Sequence, residues 1–143
     1  MNCPSLKLFD KKVLVLGFSK SGISAAKYLN KVGAEVYITE FRAEKPEDKE
    51  KLDELLKLGI KVEFGGHSDE FIQNSYIAVT SPGIPPRAEI MQKLKAAEVP
   101  VISEVELAAT QTQTPFIAIT GTNGKTTTTA LTAHILSSEY KAE

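Results

Sequence analysis

Residues 120–127 read Thr-Gly-Thr-Asn-Gly-Lys-Thr-Thr, and their setting admits few folds. Before them stands the apolar run Pro115-Phe116-Ile117-Ala118-Ile119, which predicts a buried parallel strand. After them, residues 128–136 predict the start of a helix. Strand, glycine loop, Lys-Thr and helix is the layout of a phosphate-binding loop. Glycines let backbone N–H groups turn toward phosphate, Lys125 adds a point charge, and Thr126 offers a hydroxyl to a magnesium ion. The generic pattern G-x-x-x-x-G-K-[ST] would need a first glycine where Ile119 stands, so the strict form is absent.

A second glycine loop lies near the start. The run Lys12 to Leu16 predicts a strand covered on both faces. Gly17-Phe18-Ser19-Lys20-Ser21-Gly22 follows directly, and residues 21–32 predict a helix closed by Gly33. The loop keeps the first and third glycines of the dinucleotide fingerprint G-x-G-x-x-G and puts Ser19 at the second. That substitution weakens a reading as an NAD site but leaves a helix N-terminus to hold an anion. Glu40 closes the next strand, where dinucleotide folds carry an acid for a ribose hydroxyl.

Between the two loops strands and helices alternate. Strands are predicted at 35–39, 60–64, 76–80 and 100–102. Helices are predicted from Pro46 to Gly59, and over 88–97 on a stripe of Ile90, Met91 and Leu94. Ser103 and Glu106 form a capping box for a helix through Ala109. The charge-dense run 44–54 alternates in sign and reads as a solvated face. The pattern predicts an α/β fold: a Rossmann-like parallel five-stranded sheet with helices on both faces. Residues 1–112 form that domain. Residues 113–143 read as the truncated beginning of a second domain: strand, loop and helix. So few elements cannot bury a core of their own.

Bulk properties exclude several classes. A net charge of −1 argues against a nucleic-acid or membrane-surface binder. No apolar run is long enough to span a bilayer, and the start lacks a signal peptide's pattern. The single Cys3 excludes an intrachain disulfide and reads as a free thiol in a reducing cytoplasm. His67 and His134 lack spaced partners and read as ordinary loop and helix-surface residues.

The loop T-G-T-N-G-K-T-T resembles the ATP loop of the Mur ligase family, the ATP-dependent amide-forming enzymes of peptidoglycan synthesis. A Rossmann-like first domain ahead of it resembles the branch that adds D-glutamate to UDP-N-acetylmuramoyl-L-alanine. The likeness covers essentially the whole chain. It implies that the first domain holds the UDP-sugar substrate. Ser19, Lys20, Ser21 and Gly22 would lie against its UDP portion, and Glu40, Phe41 and Arg42 would hold the uracil and its neighbourhood. Ser81, Pro82, Gly83 and Ile84 match the family's S-P-G-I loop. Lys20 is left open between a phosphate contact and an exposed helix-start lysine.

The resemblance also implies the chemistry. ATP would phosphorylate the substrate carboxylate, and the amine of D-glutamate would displace phosphate. Gly121, Thr122, Asn123, Gly124, Lys125, Thr126 and Thr127 would bind ATP, with Lys125 on its β/γ phosphates and Thr126 sharing Mg²⁺. The D-glutamate domain and the further metal ligands would lie downstream, so this polypeptide alone is expected not to catalyse. The family implies a cytoplasmic enzyme, monomeric at full length. The orphan strand near Ile117 leaves association of the shorter chain open. The rival reading is an NAD-binding domain of an oxidoreductase, which leaves the second loop idle.

Overall fold

The computed structural model describes residues 6–112 and 115–140. Cys3 lies outside the described residues. The chain divides into two compact units, Met1–Thr112 and Gln113–Glu143.

The first unit is built on five parallel strands: β1 (Lys12–Leu16), β2 (Glu35–Glu40), β3 (Lys61–Phe64), β4 (Ile77–Thr80) and β5 (Val101–Ser103), in the order β3-β2-β1-β4-β5. Helices α1 (Lys20–Lys31), α2 (Lys49–Lys57), α3 (Asp69–Ile72), α4 (Glu89–Ala96) and α5 (Glu104–Thr110) connect or follow them. Strand residues alternate between the two faces. Val13 and Val15 pack with Ala26 and Leu29 of α1, Leu55 of α2 and Leu107 of α5. Leu14 and Leu16 pack on the other side with Ile72 of α3 and Ile90 and Leu94 of α4. Burial on both faces is why β1 reads as an unbroken apolar run.

Boundaries follow local chemistry. Gly33 and Gly59 adopt positive φ just beyond α1 and α2, as helix-ending glycines do. The capping box is present: Ser103 Oγ accepts from Glu106 N–H at 3.1 Å, and Glu106 Oε2 accepts from Ser103 N–H at 2.7 Å. Two expectations for this unit need correction, and one helix was not foreseen. Met91 is only partly buried, because α4 is short and points Ile90 and Leu94 at the sheet. Helix α3 carries no sequence expectation; its four residues are too few for a period, though Ser68 caps it by accepting from Phe71 N–H. Asp48 is not part of a solvated face. It is buried and pairs with Arg42.

The second unit carries one described helix, α6 (Lys125–Leu136), entered through Gly124 at φ 77°. The strand predicted at 115–119 is absent. Those residues form no strand, and Phe116 and Ile117 are exposed. A strand exists through its neighbours' hydrogen bonds, and the described part of this unit contains no second strand to supply them. The helix buries none of its residues, and Leu131 and Ile135 are exposed one turn apart.

Candidate functional site

The strand order sets where a ligand can sit. From β1 the chain steps to β2 and β3 on one side, then returns to β4 and β5 on the other. Connections at the carboxyl ends of β1 and β4 therefore diverge and leave a crevice at the switch point. Leu16 is in register with Thr39 and Thr80, so the loops 17–22 and 81–88 leave the sheet side by side.

The first loop is pinned from several directions. Gly17, at φ 96°, donates its N–H to Thr39 O at 2.9 Å. Phe18 is buried, its ring 4.9 Å from that of Phe64, and its N–H donates to Glu40 Oε2 at 2.7 Å. Ser19 is the N-cap of α1; its Oγ accepts from Gly22 N–H at 3.0 Å. This explains the missing second glycine, since the serine closes the helix start instead. Gly22 must be glycine for a different reason. A Cβ there would collide with the carbonyl oxygen of Gly17.

With those donors assigned, the N–H groups of Ser19, Lys20 and Ser21 have no acceptor among the described residues. They stand at the positive end of a twelve-residue helix. Lys20 is exposed beside them. A cavity of about 860 Å³ opens here, with Ser19, Lys20 and Ser21 on one wall, Glu104 and Leu107 on another, and Tyr28 beyond. Glu40, Phe41, Arg42 and residues 81–84 do not line it.

The other predicted site residues divide into two groups. Ser81, Ile84 and Glu40 are brought to the loop. Ser81 Oγ lies 3.3 Å from Ser19 Oγ, and Ile84 Cδ1 lies 3.9 Å from where a Gly17 Cβ would stand. Glu40 spends one bond per oxygen, on Phe18 N–H and on Arg42 N–H at 3.1 Å. Each oxygen keeps a further lone pair. Pro82 and Gly83 are exposed at the turn between Ser81 and Ile84. Phe41 and Arg42 follow Glu40 on the β3 side of the loop. The exposed Phe41 ring lies 6.0 Å from that of His67. Arg42 holds Asp48 through two bonds, 2.6 and 3.0 Å, and covers Phe64 at 5.6 Å.

The guanidinium of Arg42 is the main reason the Asp48 carboxyl is held down at about 2, with Lys45 N–H adding to it. A depressed carboxyl stabilises the fold at every pH above its unfolded value. That contribution fades only as pH falls through the folded value. Carboxyl NMR titration is expected to give Asp48 a midpoint near 2. In Arg42→Ala the midpoint should move up toward the unpaired value of about 3.9.

His67 and Glu104 are site-edge residues with no role expected from sequence. His67 Nδ1 lies 2.7 Å from the buried Thr39 Oγ1, and burial holds its imidazole below the ordinary value. The Gly65-Gly66 pair just before it was the available signal for a structured turn. Glu104 accepts from Ser81 Oγ at 2.6 Å.

In the second unit, Gly121 and Gly124 both take positive φ, and Lys125 Nζ donates to Gly121 O at 2.5 Å. The lysine closes over the loop it belongs to. Thr126 and Thr127 occupy the first turn of α6, where N–H groups lack intrahelical acceptors. This donor set suits a polyphosphate: turned-out backbone, one ammonium and hydroxyls. No cluster of His, Cys, Asp or Glu that could hold a metal occurs among the described residues. No described helix is long and apolar enough to cross a membrane.

Comparison with known proteins agrees with this architecture. Residues 11–103 match the model of the Mur ligase MurD-like N-terminal domain. The UDP-N-acetylmuramoylalanine–D-glutamate ligase of Enterococcus hirae is 48% identical over 88% of this chain, which covers 27% of that protein. The ligase of the same name from Streptococcus pneumoniae is 46% identical over 89% of the chain and 28% of its own length. The chain thus spans less than a third of these curated relatives. Among solved structures, a pseudomurein peptide ligase type C from Methanothermus fervidus superposes with a TM-score of 0.61 and 25% identity, over 90% of this chain and 26% of that one. SirC, a precorrin-2 dehydrogenase, shares the fold at a TM-score of 0.55 and 17% identity, over 99% of this chain and 72% of its own. A MurD-like N-terminal domain on a five-stranded parallel sheet places this chain in the Mur ligase family.

Proposed function

We propose that this chain supplies the UDP-sugar-binding domain, and the opening of the ATP-binding domain, of a ligase that adds D-glutamate to UDP-N-acetylmuramoyl-L-alanine. The observation that carries the reading is the trio of N–H groups at Ser19, Lys20 and Ser21, free at the head of α1 beside the sheet's switch point. A diphosphate placed there accepts from all three, with Lys20 available as a counter-charge. Glu40 keeps acceptor capacity for the nucleoside, and residues 81–84 border the loop.

The second loop is read as the ATP site. Lys125 would leave Gly121 O for the β/γ phosphates, Gly121 to Gly124 would present backbone N–H, and Thr126 would share Mg²⁺ with the nucleotide. ATP supplies the activated phosphoryl group that amide formation needs, and the protein's work is positioning and charge neutralisation. The chain spans 27–28% of the ligases it resembles, so D-glutamate binding, the remaining metal ligands and turnover are assigned to the rest of such a ligase. The chain alone is therefore proposed to bind without catalysing, in a cytoplasmic setting.

The rival NAD reading keeps only the fold in its favour, since the likeness to SirC is one of fold. Calorimetry separates the two. Heat from UDP-N-acetylmuramoyl-L-alanine at millimolar concentration, with no change in NADH emission on mixing, is expected. Enhanced NADH emission without heat from the UDP-sugar would overturn the proposal.

A further inference from the structure

Four side chains, from the head of α1, the end of β4 and the head of α5, form a hydroxyl chain that ends on a carboxylate. Ser21 Oγ lies 3.2 Å from Ser19 Oγ, Ser19 Oγ lies 3.3 Å from Ser81 Oγ, and Ser81 Oγ lies 2.6 Å from Glu104 Oε1. The direction of every proton follows from the last member. An ionised carboxylate only accepts, so Ser81 must spend its single proton on Glu104. Ser81 Oγ is then an acceptor for the Ser19 proton. Ser19 Oγ, its own proton committed, is left as an acceptor for Gly22 N–H and for the Ser21 hydroxyl. One charge thus orders three hydroxyls that come from two loops.

Glu104 is not needed for the ordinary task of its position. It stands in the first turn of α5, but Ser103 and Glu106 already close that helix start by themselves. Its carboxylate is half-buried and makes its short bond across the switch point, to the buried Ser81. Glu104 also lines the same cavity as Ser19, Lys20 and Ser21, so its carboxylate would repel an anion held by their N–H groups.

We infer that Glu104 is a positioning residue for the anion loop. Through Ser81 it holds Ser19 as an acceptor, keeps the first turn of α1 closed on Gly22, and turns the hydroxyl protons inward. The loop then presents backbone N–H groups, not serine hydroxyls, to its ligand. The ligand half of this statement rests on the proposed UDP site; the ordering of the loop does not.

Amide hydrogen exchange on the ¹⁵N-labelled chain tests the ordering without any ligand. In Glu104→Ala and in Ser81→Ala, exchange at Gly22 N–H is expected to quicken about tenfold, the effect of one weakened hydrogen bond. Val15 N–H, in the central strand, is the internal control for global folding. Glu104→Gln should restore Gly22 protection to within about twofold, because its amide oxygen can still accept from Ser81. UDP added to the same samples should bind about three- to tenfold more weakly to the alanine variants and normally to Glu104→Gln. Unchanged Gly22 exchange in both alanine variants would overturn the inference, as would a Glu104→Gln variant as damaged as Glu104→Ala. The expected exchange pattern in a chain that fails to bind UDP would support the role of Glu104 and refute the UDP site instead.

Discussion

Lys125→Ala, in a full-length ligase carrying these residues, is expected to lower turnover on the order of 10³-fold and to leave UDP-sugar affinity within about twofold. The two loops belong to separate compact units, 1–112 and 113–143, and each has its own donors. The ammonium of Lys125 is already folded over its loop, 2.5 Å from Gly121 O, so phosphate needs only to replace one carbonyl as its acceptor. Removing it subtracts charge where the transferring phosphoryl group needs it. It removes nothing from Ser19, Lys20 or Ser21. Steady-state kinetics and calorimetry on one sample check this. Equal losses of turnover and of UDP-sugar binding would contradict the assignment of the loops to different ligands.

Gly22→Ala is expected to be the most damaging small substitution in the first unit. By helix propensity alone alanine should help, by about 1 kcal/mol. The structure reverses the sign, because the new methyl collides with the backbone carbonyl oxygen of Gly17, which cannot swing aside as a side chain could, and crowds Ser19 Oγ at 3.3 Å as well. The net expectation is a loss of about 2 kcal/mol. For a domain of this size that lowers Tm by roughly 10 °C. The loop can relieve the clash only by moving Gly17 away from Thr39 O, which also displaces the free N–H groups. UDP affinity should therefore fall at least about tenfold. Thermal unfolding followed by circular dichroism, with calorimetry below the transition, measures both. A variant as stable as the parent would show that the close approach is not maintained in solution.

The sheet was readable because its strands are covered on both faces. Val13 to Leu16 and Ile77 to Val79 carry apolar residues at consecutive positions, and their shortness, β-branched content and following Gly17 or Pro82-Gly83 mark them as strands. Helix ends were readable where backbone geometry demands glycine, as at Gly33 and Gly59. The strand at 115–119 was misread because apolar character specifies an extended segment but cannot provide its partner. The loops of the candidate site were legible as residue types at the ends of strands. Their internal wiring was not. Arg42 is expected beside the nucleoside, and its pairing with Asp48, six residues on, is a contact that the sequence did not announce. Glu104 was hidden behind its neighbours, since the capping box at Ser103 and Glu106 accounted for the segment without it. Such pairings join residues 6 to 62 positions apart, a separation at which periodicity carries no information.

The central claim is that the head of α1 is a diphosphate cradle. Amide chemical-shift mapping of the chain with UDP tests it most directly. Saturable shifts at Ser19, Lys20 and Ser21, spreading to residues 81–84, are the predicted result. Shifts confined to residues 121–127, or none at millimolar UDP, would contradict it.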